Sequence, residues 1–424
     1  MHEIQQEQTR TKAILVGINT GEYDAEISMQ ELEELADTAE CDTLLKIIQS
    51  RPAPEAATCI GAGKLEEIKE QVKILDADLI IFDTELTGMQ MRNISDLTDC
   101  KVIDRTMLIL DIFAGRARTA EGKVQVALAQ YKYRLTRLTG MGTALSRLGG
   151  GIGTRGPGET KLETDRRHIR NRITSLENEL REMEKHRKFI TSRRKKNSIL
   201  TAAIVGYTNA GKSTLFNMLT QAGVLEENKL FATLDVTARA LELPDGRSIL
   251  LSDTVGFIRR LPHHLVEAFR STLEETAQAD VILHVLDVSE PDLQERMQIT
   301  QDLLKDLGCA EIPKICILNK SDLLDDQTRI SIQGKSDFDT VLMSAKHGDG
   351  VQDLLKAIVH HLPQTTRRMQ LCIPYADGGF LNQLREEGKI FSEEYTENGI
   401  CVDLLVDLKY QKKAENYIKN QKEV

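Results

Sequence analysis

The sequence predicts a multidomain α/β protein: an N-terminal α/β domain on a parallel sheet, an antiparallel helical hairpin, a second α/β domain and a small C-terminal α+β domain. Three observations carry this reading. Short apolar runs alternate with helical periodicity through most of the chain, the pattern of βαβ crossovers. Heptad spacing replaces that alternation between about residues 116 and 198. The length, 424 residues, allows about three separately cored units at roughly 100 to 200 residues each. With 41% apolar and 28% charged residues, collagen-like, disordered and disulfide-scaffold classes are excluded.

In the first domain, residues 1–115, strands are expected at 13–17, 78–83 and 101–104 and helices at 29–49, 65–75 and 89–97. The segment Ile60-Gly61-Ala62-Gly63-Lys64 resembles a nucleotide loop but is only a GxG, and reads better as a strand-to-helix turn. In the hairpin, residues 116–198, Val124, Leu128, Tyr131, Leu135 and Leu138 step by four and three, as do Ile169, Ile173, Leu176, Leu180 and Met183, with Leu162 one heptad earlier. Helices of about 20 residues would make arms of roughly 30 Å. Between them, residues 149–158 hold six glycines and one proline, a composition that breaks a helix and bends the connection.

Charge is distributed unevenly. The net value of −10 argues against a nucleic-acid partner, yet residues 131–200 hold 18 Lys and Arg against 7 Asp and Glu. Arg147, Arg155, Lys161, Arg166, Arg167, Arg170 and Arg172 cluster towards the glycine-rich end, which makes that end a candidate phosphate-backbone surface. Seven cysteines, odd in number and without a CxxC, fit reduced thiols rather than structural zinc. With no long apolar run and a polar start, the expectation is a cytoplasmic monomer without membrane insertion, a peripheral membrane fraction being the alternative placement.

The third unit, residues 199–364, carries the chemistry. Gly206-Tyr207-Thr208-Asn209-Ala210-Gly211-Lys212-Ser213 satisfies GxxxxGK[ST] between an apolar strand and the helix opened by Thr214. Glycines let backbone N–H groups turn inward around phosphates, Lys212 reaches the β and γ phosphates, and the Ser213 hydroxyl ligates Mg²⁺. Asn319-Lys320-Ser321-Asp322 then decides the base. A carboxylate at Asp322 accepts from two guanine donors that adenine lacks, Lys320 lies along the ring, and Asn319 braces the phosphate loop. Ser344-Ala345-Lys346 supplies a backbone N–H for the guanine carbonyl.

Asp253-Thr254-Val255-Gly256 is the expected sensor of the γ-phosphate, with Asp253 holding Mg²⁺ through water and the Gly256 N–H on the phosphate. Thr233 is the choice to complete the metal shell, Thr237 its nearest rival. Lys212, Thr233 and Gly256 are thus the groups expected to act on the transferring phosphoryl group, in loops that order around GTP and relax with GDP. Phe257 stands where a Ras-like enzyme has its water-orienting glutamine, so unaided hydrolysis should be slow. A partner or a bound K⁺ is expected to supply the missing group, with Asn209 as the candidate K⁺ ligand; Arg259 and Arg260 read as solvated or partner-binding. The last unit, residues 365–424, reads as strand 369–373, helix 379–386, strands 389–396 and 399–406, and helix 408–419.

Beyond these five motifs, the chain resembles the HflX family of translation-factor-related GTPases over nearly its whole length. The likeness is carried by Val102-Ile103-Asp104-Arg105-Thr106 leading into Ile112-Phe113-Ala114, by residues 125–131, 150–167 and 231–235, and by the apolar residue after DxxG. The resemblance implies association with the large ribosomal subunit and its RNA, the glycine-rich loop near the peptidyl-transferase region, and a role in splitting or rescuing stalled ribosomes under stress. It also implies ATP as a second ligand of the N-terminal region, for which Gly61 to Lys64 is weak support. A scaffold or RNA chaperone using GTP as a conformational ligand is the competing reading, and a membrane-associated regulator a more remote one.

Overall fold

The computed structural model describes residues 10–138, 161–196, 199–220, 231, 237–254, 256–260, 276–325 and 339–418. Three sheets organise them. The first is fully parallel, in the order β2-β1-β3-β4, from β1 (Thr11–Asn19), β2 (Cys41–Ser50), β3 (Leu79–Phe82) and β4 (Lys101–Asp104). Helices α1 (Ala25–Thr38), α2 (Ala62–Leu75), α3 (Gly88–Thr98) and α4 (Arg105–Arg116) accompany it. Three of them, α1, α3 and α4, begin at a side-chain cap. Asp24 accepts from the N–H groups of Glu26 and Ile27, Thr87 and Gln90 form a reciprocal capping box, and Asp104 accepts from Met107 N. β3 is apolar at every position and buried at every position, as an interior parallel strand should be.

One expected helix is half wrong. Residues 29–49 were expected to be helical throughout, but α1 ends at Thr38 and residues 41–50 form β2, paired with β1. The run Thr43-Leu44-Leu45-Lys46-Ile47-Ile48 is rich in β-formers, and an edge on β1 satisfies its backbone hydrogen bonds. The chain turns between them at Glu40, whose φ is 60°.

Helices α5 (Ala120–Leu138) and α6 (Lys161–Lys196) pack through Val124, Leu128 and Leu176, flanked by Tyr131, Ile173, Leu180 and Met183. Glu121 pairs with Arg187 at 2.8 Å and Lys132 with Glu177 at 3.1 Å, so the helices run in opposite directions, as the matched heptads require. The glycine-rich segment 149–158, with Arg147 and Arg155, lies outside the described residues.

The second sheet has the order β10-β9-β8-β5-β7-β6, from β5 (Thr201–Gly206), β6 (Thr237–Glu242), β7 (Ser248–Asp253), β8 (Val281–Asp287), β9 (Lys314–Asn319) and β10 (Thr340–Leu342). All pairs are parallel except the edge pair β6–β7. Helices α7 (Lys212–Thr220), α8 (Leu293–Asp306) and α9 (Val351–His361) belong to this domain. The strand order reverses beside β5, so the loop after β5 opens at the carboxyl end of the sheet, where ligands bind in open α/β folds.

The third sheet is antiparallel, β11-β13-β12, built from β11 (Thr366–Ile373), β12 (Lys389–Thr396) and β13 (Gly399–Asp407), with α10 (Gly378–Glu387) and α11 (Leu408–Ala414). Leu371, Ile373, Leu381, Leu384, Val402, Leu404 and Val406 form its core. Cys372 and Cys401 stand directly opposite each other across the β11–β13 pair with their sulfurs in contact, a juxtaposition that register sets and that the sequence reading of scattered thiols did not anticipate. Cys41, Cys59, Cys100, Cys309 and Cys316 remain free, and burial pushes each thiol up. Among the described residues, no helix is long and apolar enough to cross a membrane, and there is no cluster of three or more His, Cys, Asp or Glu side chains placed to hold a metal ion.

Candidate guanine-nucleotide site

The loop from Gly206 to Ser213 joins β5 to α7. Its glycines are required by both conformation and space. Gly206 has φ 153°, and a Cβ there would lie 2.2 Å from the Val285 carbonyl oxygen; Gly211 has φ 92°, and its Cβ would lie 2.2 Å from Asn319 Nδ2. Asn209 occupies the left-handed region at φ 61°, which asparagine tolerates better than most residues. Ala210 is buried within the core beneath the loop. Lys212 is buried as well, its Nζ donating to the Tyr207 carbonyl at 2.7 Å. Burial pushes its ammonium down to about 8, with Asp253 opposing the shift, so the cation is held at the cost of desolvation and is suited to a polyanionic partner. Thr214 follows in the first turn of α7.

At the other end of the site, the second and third guanine motifs meet the first. Asn319 Nδ2 donates to the Ala210 carbonyl at 2.8 Å, while its Oδ1 accepts from Ala345 N at 2.9 Å. One side chain thereby ties the phosphate loop to the loop after β10. Lys320 adopts φ 63° and pairs with Asp287 at 2.6 Å, which orients its stem. The Ser344 hydroxyl donates to Asp322 Oδ1 at 2.6 Å and holds that carboxyl below the usual range, so it is ionised and accepts only. Lys346 and His347 stand nearby and favour the same charge state. Ser344 is fully buried and Ala345 nearly so.

The γ-phosphate loops are only partly described. Thr233 and Val255 lie outside the described residues; Thr237, its rival, is the first residue of β6 and pairs with Asp253 across the sheet. The Ser213 hydroxyl donates to Asp253 Oδ2 at 3.1 Å. The Ser213 hydroxyl and the buried Asp253 carboxylate are thus a pair of neighbouring oxygen donors of the kind that fits Mg²⁺. Gly256 rests on the phosphate loop: a Cβ there would lie 2.8 Å from Thr208 Cγ2 and 2.9 Å from Lys212 Nζ. Phe257 turns into the domain core with Val205, Tyr207, Ile282, Leu304 and Cys309.

Arg259 and Arg260 depart from their expected solvation. Arg259 is buried and paired with Asp292, and with Glu295 at 3.0 Å. Arg260 reaches Asp83 of the first domain at 2.8 Å. Of the residues that touch this segment, Glu31 and Asp83 were missed from sequence, and Arg105 entered only within the Val102–Thr106 motif. Asp83 carried a signal, a charge closing the fully apolar run Leu79–Phe82, whereas Glu31 sits in an ordinary helical pattern. At Gly61 the N-terminal GxG is a helix start, with φ −68°, and Lys64 pairs with Glu67 at 2.7 Å instead of turning inward.

Comparison with known proteins matches three successive stretches of the chain to described families. Residues 26–114 match the family described as GTP-binding GTPase N-terminal, residues 116–194 the GTP-binding GTPase middle region, and residues 201–320 the family described as 50S ribosome-binding GTPase. GTPase HflX of Caldanaerobacter subterraneus subsp. tengcongensis is 51% identical over 409 residues, covering 96% of this chain and 94% of that one. GTPase HflX of Escherichia coli strain K12 is 44% identical over 390 residues, covering 92% and 91%. Among solved structures, the SsGBP and GDP complex is 26% identical with a TM-score of 0.48, covering 84% of this chain and 99% of that one. With matches of that identity along almost its entire length, the chain belongs to the HflX family of GTPases.

Proposed function

We propose that the protein hydrolyses GTP on the large ribosomal subunit, contacting its RNA through the basic loop end of α5 and α6, and that the cycle splits or rescues stalled ribosomes. The observation that supports this best is the convergence of the phosphate loop, Asn319, Asp322 and Ala345 on one site, in a chain whose G domain matches a family described as 50S ribosome-binding. Gly206, Tyr207, Thr208, Asn209, Ala210, Gly211, Lys212, Ser213 and Thr214 would hold the phosphates, and Asn319, Lys320, Asp322, Ser344, Ala345 and Lys346 the guanine. Ser213, with Asp253 through water and Thr233, would hold Mg²⁺, which supplies charge neutralisation to the β and γ oxygens when bound.

Within this chain, Lys212 brings a positive charge to the developing phosphate charge and the Gly256 N–H orients the γ end. Phe257 offers neither a donor nor a charge, and the nearby arginines are engaged elsewhere. The water-orienting group therefore comes from outside: the ribosome, or a K⁺ held by Asn209, which is exposed on a left-handed backbone.

The test is turnover with and without purified large subunits, combined with cosedimentation in GTP, GDP and a non-hydrolysable analogue. Stimulation by at least tenfold and retention only with the triphosphate form are expected; unstimulated turnover would favour a scaffold in which GTP is merely a conformational ligand. Equal rates in K⁺ and Na⁺ salts, unchanged by Asn209→Ala, would remove the cation from the scheme.

A further inference from the structure

Side chains alternate across the C-terminal sheet. Ile400, Val402, Leu404 and Val406 of β13 enter the core with Leu371 and Ile373 of β11, so Cys401 and Cys372, which fall between them, share the opposite face. The two cysteines are direct cross-strand partners, their Cα atoms 4.1 Å apart and their sulfurs in contact. Cysteines can be bridged without moving the backbone only when their Cα atoms lie within about 7 Å, so this pair is already placed for a bond. Both are partly exposed, and their surroundings on that face are polar. Glu394 of β12 stands in register with Cys401, and Gln370 and Asp403 form the next rung.

The other five cysteines differ in environment. Cys41, Cys59, Cys100 and Cys309 are buried free thiols, and burial pushes the thiols of Cys59 and the partly exposed Cys316 up to about 11. A thiol raised in this way holds little thiolate at neutral pH, and the thiolate is the reactive form. Among the described residues, only Cys372 and Cys401 combine partial exposure with a second sulfur in contact.

We propose that Cys372 and Cys401 are a reversible oxidation site for a peroxide, which converts the dithiol into a cross-strand disulfide that staples the C-terminal sheet. One thiolate attacks the peroxide: an S–O bond forms, the O–O bond breaks, and the departing hydroxide takes up a proton as water, leaving a sulfenic acid. The neighbouring thiolate attacks that sulfur, the S–S bond forms, and the S–O bond breaks with loss of a second water. Two thiols and one peroxide thus give one disulfide and two waters, the sulfurs losing two electrons. A dithiol reductant reverses the change by exchange, to which the partly exposed pair is open. In a reducing compartment such a pair rests as thiols, and disulfides there are mostly transient and redox-sensing. The bond joins positions 29 apart and encloses α10 and β12, so it removes chain freedom from the opened sheet and favours the closed one. The same sheet is fastened to the second domain: Lys389 pairs with Glu242 at 3.1 Å, and a Cβ at Gly246 would lie 2.5 Å from the Phe391 ring. Neither cysteine belongs to a nucleotide loop, so oxidation leaves nucleotide affinity as it was.

In the experiment the full chain is reduced, freed of reductant and treated with hydrogen peroxide, and its thiols are counted by alkylation and mapped by mass spectrometry. Two of the seven thiols should be lost, both from a linked pair of peptides carrying Cys372 and Cys401, and dithiothreitol should restore them without denaturant. In Cys372→Ser and Cys401→Ser no bridge forms, and the remaining cysteine should carry a sulfenic acid that dimedone traps. Hydrogen exchange of β11 and β13 should slow by at least about tenfold in the oxidised chain, with GDP affinity unchanged. Thiol loss spread over the other five cysteines, bridges between chains, a pair that stays reduced in excess peroxide, or a bond that dithiothreitol reaches only after unfolding would each overturn the proposal. A shift in GDP affinity on oxidation would overturn its separation from the nucleotide site. The thiol map of the parent chain decides the matter even where a serine variant fails to fold.

Discussion

Among the described residues, two glycine-rich turns lead into a helix and carry a lysine, and only one of them has the geometry of a phosphate loop. In the turn from Gly206 to Lys212, two glycines hold positive φ, each would drive a Cβ to 2.2 Å from a neighbour, and the lysine is buried. In the turn from Gly61 to Lys64, Gly61 has an ordinary extended backbone, a Cβ at Gly63 would meet nothing within 4 Å, and the lysine lies at the surface with Glu67. The difference teaches that composition does not make a phosphate loop. What makes one is a backbone forced inward between a strand and a bracing side chain, here Asn319, with a cation desolvated in its centre.

That contrast can be broken most severely at the glycines. Gly211→Ala combines strain in the left-handed region with a clash on Asn319 and should cost about 100-fold in guanine-nucleotide affinity, or ~2.8 kcal/mol. Gly63→Ala, in open space within α2, should instead stabilise by ~0.5–1 kcal/mol without touching nucleotide binding. Calorimetric titration and thermal unfolding separate the two, and a shared loss of binding would make the N-terminal turn a ligand loop after all. Next in size, Asp322→Asn exchanges an acceptor for a donor and should lower guanine affinity roughly tenfold to 100-fold, from ~1.5–3 kcal/mol for charged hydrogen bonds. Xanthine nucleotides, which present a carbonyl in place of the 2-amino group, should gain correspondingly in a competition assay.

The lysines sharpen the contrast by pH. Burial lowers Lys212 to about 8, so it loses its proton as pH rises through that value, whereas phosphate attraction needs the charged form. Nucleotide affinity should therefore fall by about tenfold per unit above pH 8, with proton uptake on binding in calorimetry; a flat profile to pH 9.5 would contradict it. Lys212→Arg should flatten the profile. The smallest effect belongs to Lys64→Ala, which removes one surface pair with Glu67 and should change stability by no more than ~0.5 kcal/mol in thermal unfolding.

How much of this was legible beforehand depends on the reach of the interactions involved. The phosphate loop, NKxD and SAK are contiguous runs at strand ends, so local spacing sufficed to find them, and the bracing role expected of Asn319 matches the observed bond to Ala210. The matched heptads likewise anticipated the partners of α5 and α6. Reading residues 29–49 as a single helix failed because periodicity does not separate a helix from a following edge strand when β1 supplies the hydrogen bonds. The pairing of Cys372 with Cys401 depends on the register of β11 and β13, which sequence patterns leave open.

Sequence alone was enough to determine that this chain belongs to a GTPase family, that the runs 206–213 and 319–322 begin at strand ends, and that two helices carry matching heptads. Those features depend on residues close together in the chain, where spacing and backbone geometry are tightly linked. Only the tertiary structure decided that Arg260 meets Asp83, that Tyr207 shares its hydroxyl between Glu31 and Arg259, and that Phe231 and Ile258 enter the core of the N-terminal domain. Most of these contacts join residues more than a hundred positions apart, as Arg260 with Asp83 and Tyr207 with Glu31; Tyr207 and Arg259 are 52 apart. Their pairing is set by how two separately folded sheets dock, and the burial of charge at that junction is stable only once every partner is in place.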